Sequence, residues 1–172
     1  MLDRPLILTG FMGAGKSSVG RVLAGKLKCP FIDLDAEIVA RAGRSINEIF
    51  AKDGEAAFRV LESACLEHVL HRGVAVIATG GGAVNADTNR ALMRASGVVV
   101  NLTASFDLIM ARLSGATNRP LYAGNDPAKR AKALMEQREQ FYNDADIRID
   151  TDGKSVEDVA AEILEYLTQI SH

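Results

Sequence analysis

The most specific chemistry in the chain lies near its beginning. Gly10-Phe11-Met12-Gly13-Ala14-Gly15-Lys16-Ser17 has the spacing G-x-x-x-x-G-K-[ST], a loop that cradles phosphate. Glycines at such positions let backbone N–H groups turn inward, and a helix starting behind the loop adds the positive end of its dipole. Gly13, Ala14, Gly15, Lys16, Ser17 and Ser18 are therefore candidate nucleotide-binding residues. On an expected solvent-facing loop, Lys16 would span the β- and γ-phosphates as a catalytic cation, and Ser17 would hold Mg²⁺. The ligand implied is ATP or GTP with magnesium.

Phe31-Ile32-Asp33-Leu34-Asp35 ends an apolar run in two carboxylates at period two, so both can face one side at the carboxyl edge of a sheet, where open α/β folds bind ligands. Asp33 suits a magnesium ion through water, and Asp35 suits acceptance of the proton from an attacking alcohol. A plain helix cap is the alternative for Asp35. Arg59 stands between Glu55 and Glu62 at i,i+4 and i,i+3 spacing, which locally reads as a surface ion network. Gly80-Gly81-Gly82 follows an apolar run and leaves N–H groups open to a close ligand. Arg138 sits inside a long helical stretch with nothing local to set it apart. Residues 114–127 are polar and rich in Gly, Pro and Asn, a length at which loops are usually functional or disordered. A lid that excludes water from a phosphate site is the expectation.

These residues need a scaffold, and the pattern supplies one. Short β-rich runs (6–9, 31–33, 74–78, 98–102, 147–149) alternate with helical stretches at 16–27, 35–43, 46–52, 55–71, 86–95, 105–113, 127–144 and 156–170. That order predicts a three-layer α/β fold: five parallel strands, right-handed crossovers, and helices on both faces. Ser45 with Glu48 and Ser155 with Asp158 have capping-box spacing. The 172 residues, 48% hydrophobic and 24% charged, suit one domain spanning 1–172. The net charge of -2 provides no global field for nucleic acid. No apolar run approaches the ~18 residues of a membrane span, and the first ten residues read as a strand and not a signal peptide. A cytoplasmic protein with reduced Cys29 and Cys65 is expected.

The kind of nucleotide protein can be narrowed by motif. N-K-x-D is absent, and the one D-x-x-G, Asp150 to Gly153, comes too late for a regulatory GTPase. The run Val74 to Ala78 leads into Thr79 and glycines instead of the magnesium-holding acid usual in motor ATPases. A small kinase remains, with a regulatory nucleotide-binding protein as the alternative from another class.

Taken together, GFMGAGKS, FIDLD, SINEIF, GEAAFRVLE, TGGGAV, NRPL and REQFY resemble, in order and separation, the shikimate kinases, over nearly the whole chain. The resemblance implies a P-loop, nucleoside-monophosphate-kinase-like fold with a mobile lid at about 114–127. It also implies an acceptor-binding helical region at about 34–60, and ATP-dependent phosphorylation of the 3-hydroxyl of shikimate on the way to chorismate and aromatic amino acids. Asp35, Arg59, Gly80, Gly81, Gly82 and Arg138 then resemble the shikimate-binding set, with Glu62 orienting Arg59. Two arginines suit a carboxylate, and an aspartate and a glycine N–H suit hydroxyls. Arg119 resembles the family's catalytic, ATP-contacting lid arginine and Arg112 its adenine-side arginine, and Thr151 to Val156, with Asp152, resembles its adenine loop. Tyr122 replaces a common leucine, and the adenine loop has no proline. ATP and shikimate as partners, Mg²⁺ as cofactor and a monomer are expected. A gluconate or other hydroxy-acid kinase is the closest alternative reading.

Overall fold

The computed structural model describes residues 2–114 and 126–171. Among them is one parallel sheet in the order β2-β3-β1-β4-β5, built from β1 (Leu6–Thr9), β2 (Phe31–Asp33), β3 (Val76–Ala78), β4 (Val98–Thr103) and β5 (Ile147–Asp150). Alternation along the strands divides the core. Leu6, Leu8, Val98, Val100 and Leu102 face α1 (Lys16–Leu27) and α7 (Val156–Ile170). Ile7, Ile32, Ile77 and Val99 face the opposite layer, α2 (Leu34–Ala42), α3 (Ile46–Leu70), α4 (Asp87–Ser96), α5 (Phe106–Leu113) and α6 (Pro127–Tyr142). Side chains buried this completely contribute roughly 1.5–3 kcal/mol each, so both faces of the sheet are closed by substantial apolar burial.

Local sequence accounts for the element ends. The Ser155 hydroxyl accepts from Asp158 N–H while the Asp158 carboxylate accepts from Ser155 N–H, a complete capping box at α7. At α3 only half of the expected box forms. Ser45 Oγ accepts from Glu48 N–H at 3.1 Å, but the Glu48 carboxylate takes the Ser45 hydroxyl and not its N–H. The two helices expected on either side of residues 53–54 run on as α3, interrupted at Gly54, whose φ of 85° and ψ of 172° only glycine adopts readily. The resulting bend separates an outer arm from the part of α3 that carries Arg59.

The expected strand from 74 starts at Val76, and the other strands agree with expectation to within one residue. β1 and β3 are central, with β4 beside β1, so the loop after β1 and the turn after β3 emerge side by side at one edge. That edge carries the chemistry.

Candidate active site

The loop between β1 and α1 is shaped by its glycines. Gly15 enters α1 with φ 96°, and no side chain caps that helix. Its first N–H groups are thereby left for an anion. Lys16 departs from expectation: it is buried, and its ammonium group is bonded back to the carbonyls of Gly10 and, at 3.1 Å, Phe11. The loop folds around its own cation, which holds Lys16 ready behind the helix N-terminus. Gly13, Gly15, Lys16, Ser17 and Ser18 line a cavity of about 350 Å³. Asp33, Asp35, Gly80, Gly81 and Arg112 line it as well. Ala14 is buried beneath, its N–H donating to Phe11 O at 3.1 Å.

The two aspartates divide their work differently from the period-two expectation. Asp33 ends β2 and is itself the N-cap of α2, one oxygen accepting from Ala36 N–H at 3.2 Å. Its other oxygen accepts from the Ser17 hydroxyl at 3.4 Å. Asp35 lies in the first turn of α2, so the capping alternative belongs to Asp33. Among the described residues no cluster of three or more His, Cys, Asp or Glu gathers as a metal cage. Ser17 and Asp33 nonetheless fit magnesium: a hydroxyl and a carboxylate, adjacent on a phosphate cavity, are hard oxygen donors for an ion that retains water and phosphate ligands.

The glycine triplet is where four charged side chains converge. A Cβ at residue 80 would come 2.9 Å from Asp35 Oδ1 and 3.2 Å from Glu62 Oε2. At residue 81 it would meet Arg138 Nη1 at 3.2 Å, and at residue 82 both terminal nitrogens of Arg59 at 2.4 Å. The sequence suggested exposed N–H groups; the hydrogen faces of these glycines also admit the side chains around them. Arg59 is half-buried and makes both ion pairs that its helix spacing suggested. Its guanidinium donates to the buried Glu62 at 2.9 Å and to Glu55 at 3.4 Å, and it lies over the Phe58 ring. Burial pushes the Glu62 carboxyl above its usual range, with Arg59 pulling the other way. Arg59, Glu62 and Gly82 line a second cavity of about 480 Å³ with Glu55, Asn85 and Asn89.

Arg138 is only 2% exposed. Its Nε and Nη1 find no hydrogen-bond partner among the described residues, although its guanidinium lies over the Phe11 ring. A buried arginine left so has a large unmet demand for an anion. On the opposite side, Arg112 donates to Gly13 O at 2.7 Å, tying α5 to the phosphate loop. Asp152 accepts from Ser105 N–H at 2.8 Å, a bond that holds its carboxyl below the usual range and joins the 151–156 loop to the start of α5. Val156, the last residue of that loop and the first of α7, lines the phosphate cavity. Arg119 and most of the 114–127 segment fall outside the described residues.

Two further residues, Thr79 and Tyr142, lie in the TGGGAV and REQFY motifs with no role that local sequence assigns them. Thr79 lines the phosphate cavity and donates its hydroxyl to Leu8 O at 2.9 Å. The Tyr142 hydroxyl donates to Gly81 O at 2.6 Å. Tyr142 closes the REQFY motif, four residues after Arg138 and on the same helix face.

Comparison with known proteins gives the chain a family. The model of the family described as shikimate kinase matches residues 12–168. A shikimate kinase of Geobacter metallireducens is 55% identical over 95% of this chain and 92% of its own length. One from Geobacter sulfurreducens is 53% identical over 96% and 92%. Among solved structures, shikimate kinase from Acinetobacter baumannii in complex with shikimate superposes with a TM-score of 0.93 at 36% identity, covering 96% of this chain and 93% of that one.

Proposed function

The chain belongs to the shikimate kinase family, and we propose that it transfers the γ-phosphoryl group of ATP to the 3-hydroxyl of shikimate, in the pathway to chorismate and aromatic amino acids. It is an ATP-dependent kinase with an alcohol acceptor. One observation carries the acceptor reading beyond the family: the buried Arg138 guanidinium, with Nε and Nη1 unpaired among the described residues, stands against the same glycine triplet as Arg59. Two guanidinium groups there suit a carboxylate-bearing acceptor.

The residue roles in this reading rest on the site's geometry and, for Arg119 and the 114–127 segment, on the family resemblance. The first-turn N–H groups of α1 and the Lys16 ammonium take the phosphates. Ser17 and Asp33 would hold Mg²⁺, directly and through water, and the ion would offset charge on the β- and γ-phosphates. Arg59 and Arg138 hold the acceptor carboxylate, Glu62 fixes Arg59, and Gly80 to Gly82 bring backbone donors to the acceptor's hydroxyl edge. Asp35 accepts the proton of the attacking hydroxyl while the new O–P bond forms and the bond to the β-phosphate oxygen breaks, releasing ADP. Arg112 and Asp152 serve the adenine side. Arg119 is assigned the charge that meets the transferring phosphoryl group, and the 114–127 segment the part of lid. Among the described residues no helix is long and apolar enough to cross a membrane; the proposed setting is the cytoplasm, and the proposed state a monomer.

The test is ADP release from MgATP with shikimate, gluconate and nucleoside monophosphates offered separately. Turnover with shikimate alone is the expected result. Turnover with gluconate alone would replace the substrate, and none with any acceptor would favour a regulatory nucleotide-binding protein.

A further inference from the structure

Outside the groups already assigned a role, one polar contact reaches directly into the acceptor side. Tyr142, the last residue of α6, is buried, and its hydroxyl donates to the carbonyl of Gly81 at 2.6 Å. It stands one helical turn beyond Arg138, so the residue that anchors the triplet and the arginine that lies against it share one face of α6. Burial pushes the phenol up to about 12, with Arg138 pulling in the opposite direction, so the hydroxyl remains a donor throughout the working pH range.

The peptide between Gly81 and Gly82 is planar, with its C=O and N–H pointing in opposite directions. A bond that fixes the Gly81 oxygen against α6 therefore also aims the Gly82 N–H away from α6. Three consecutive glycines have wide conformational freedom, and Gly82 must pass within reach of Arg59 without a Cβ. An external tether on the middle peptide restricts that freedom at the point where the two arginines approach the backbone. We propose that Tyr142 is a positioning residue for the acceptor: its hydroxyl locks the Gly81–Gly82 peptide to α6 and so sets Arg138 and the glycine triplet in register for an anionic polyol. This rests on the reading above that Arg138 and the triplet bind shikimate.

Tyr142→Phe removes only the hydroxyl. The expected result is a rise of about 3- to 10-fold in KM for shikimate, the scale of one lost hydrogen bond, with kcat within about twofold and KM for MgATP unchanged. Incorporating p-aminophenylalanine at position 142 restores a donor and should return KM for shikimate toward the wild-type value. In a double-mutant cycle, Tyr142→Phe should couple to both Arg138→Lys and Arg59→Lys, because the tethered peptide meets both guanidinium groups. Should Tyr142→Phe fold poorly, Tyr142→Met supplies an apolar filler without a donor and carries the same expectations. An unchanged KM for shikimate, an equal rise in both KM values, or no recovery with the amino analogue would overturn the proposal. A wild-type protein that ignores shikimate in the same assay would instead overturn the acceptor reading beneath it.

Discussion

Arg59 and Gly82 fit one another by exclusion: both terminal nitrogens of the guanidinium lie 2.4 Å from where a Cβ on residue 82 would be. Glu62, 2.9 Å away and almost wholly buried, holds the same guanidinium from behind. The planar group is thus clamped between a carboxylate and a backbone that has no side chain.

Arg59→Lys keeps the charge and loses the plane. A charge-assisted, two-point bond is worth about 1.5 kcal/mol more than its replacement, so KM for shikimate should rise roughly tenfold with KM for MgATP unaltered. Steady-state kinetics decide it; an unchanged KM for shikimate would return Arg59 to the surface network that its helix spacing alone suggested.

Glu62 links this clamp to pH. Burial raises its carboxyl in the folded protein, so the native state binds its proton more readily than the unfolded chain. Its contribution to stability is then fully present below the ordinary glutamate range and declines as pH rises through the raised value. Relative to Glu62→Gln, the wild type should lose melting temperature over the interval in which pH climbs from the ordinary glutamate range through that raised value. Paired thermal melts across that interval test the sign, and a wild type that gains on the variant as pH rises would contradict it.

The legibility of this site in the sequence varied with the range of the interactions. The phosphate loop and the Ser155 cap depend on neighbours a few residues away, and motif spacing reveals them. Arg138 does not: a helical arginine is usually solvated, and only the packing of α6 against the turn after β3 turns it into a buried cation. The two aspartates show the intermediate case, since period two brought both to the cavity but could not say that the chain turns helical at Leu34 and makes Asp33 the cap. The Gly80 to Gly82 run announced close approach, yet the four charged groups that approach come from α2, α3 and α6.

The carboxylates can be separated by paired variants. Asp33→Asn keeps a good helix cap while removing the charge beside Ser17, so MgATP affinity should fall and the fold should hold. Asp35→Asn should leave calorimetric MgATP binding intact and lower kcat by roughly 10²- to 10⁴-fold, the range of a lost proton acceptor. Loss of MgATP binding in the Asp35 variant would mean that the two roles are exchanged.

Lys16→Ala should lower kcat by roughly 10²- to 10³-fold, the scale of one removed donor to developing charge. Because Lys16 is buried and bonded to Gly10 and Phe11, a modest fall in Tm should accompany it, about 2–4 °C for each kcal/mol lost. Retention of more than a tenth of wild-type turnover would contradict the catalytic assignment.

The central claim is that phosphate leaves ATP for one particular hydroxyl of shikimate, and ³¹P NMR of a reaction containing the protein, MgATP and shikimate reads it directly. The account predicts a new phosphomonoester resonance, coupled to the proton on carbon 3 of the ring and growing in step with ADP. Inorganic phosphate as the only new signal, or coupling to a different ring proton, would contradict it.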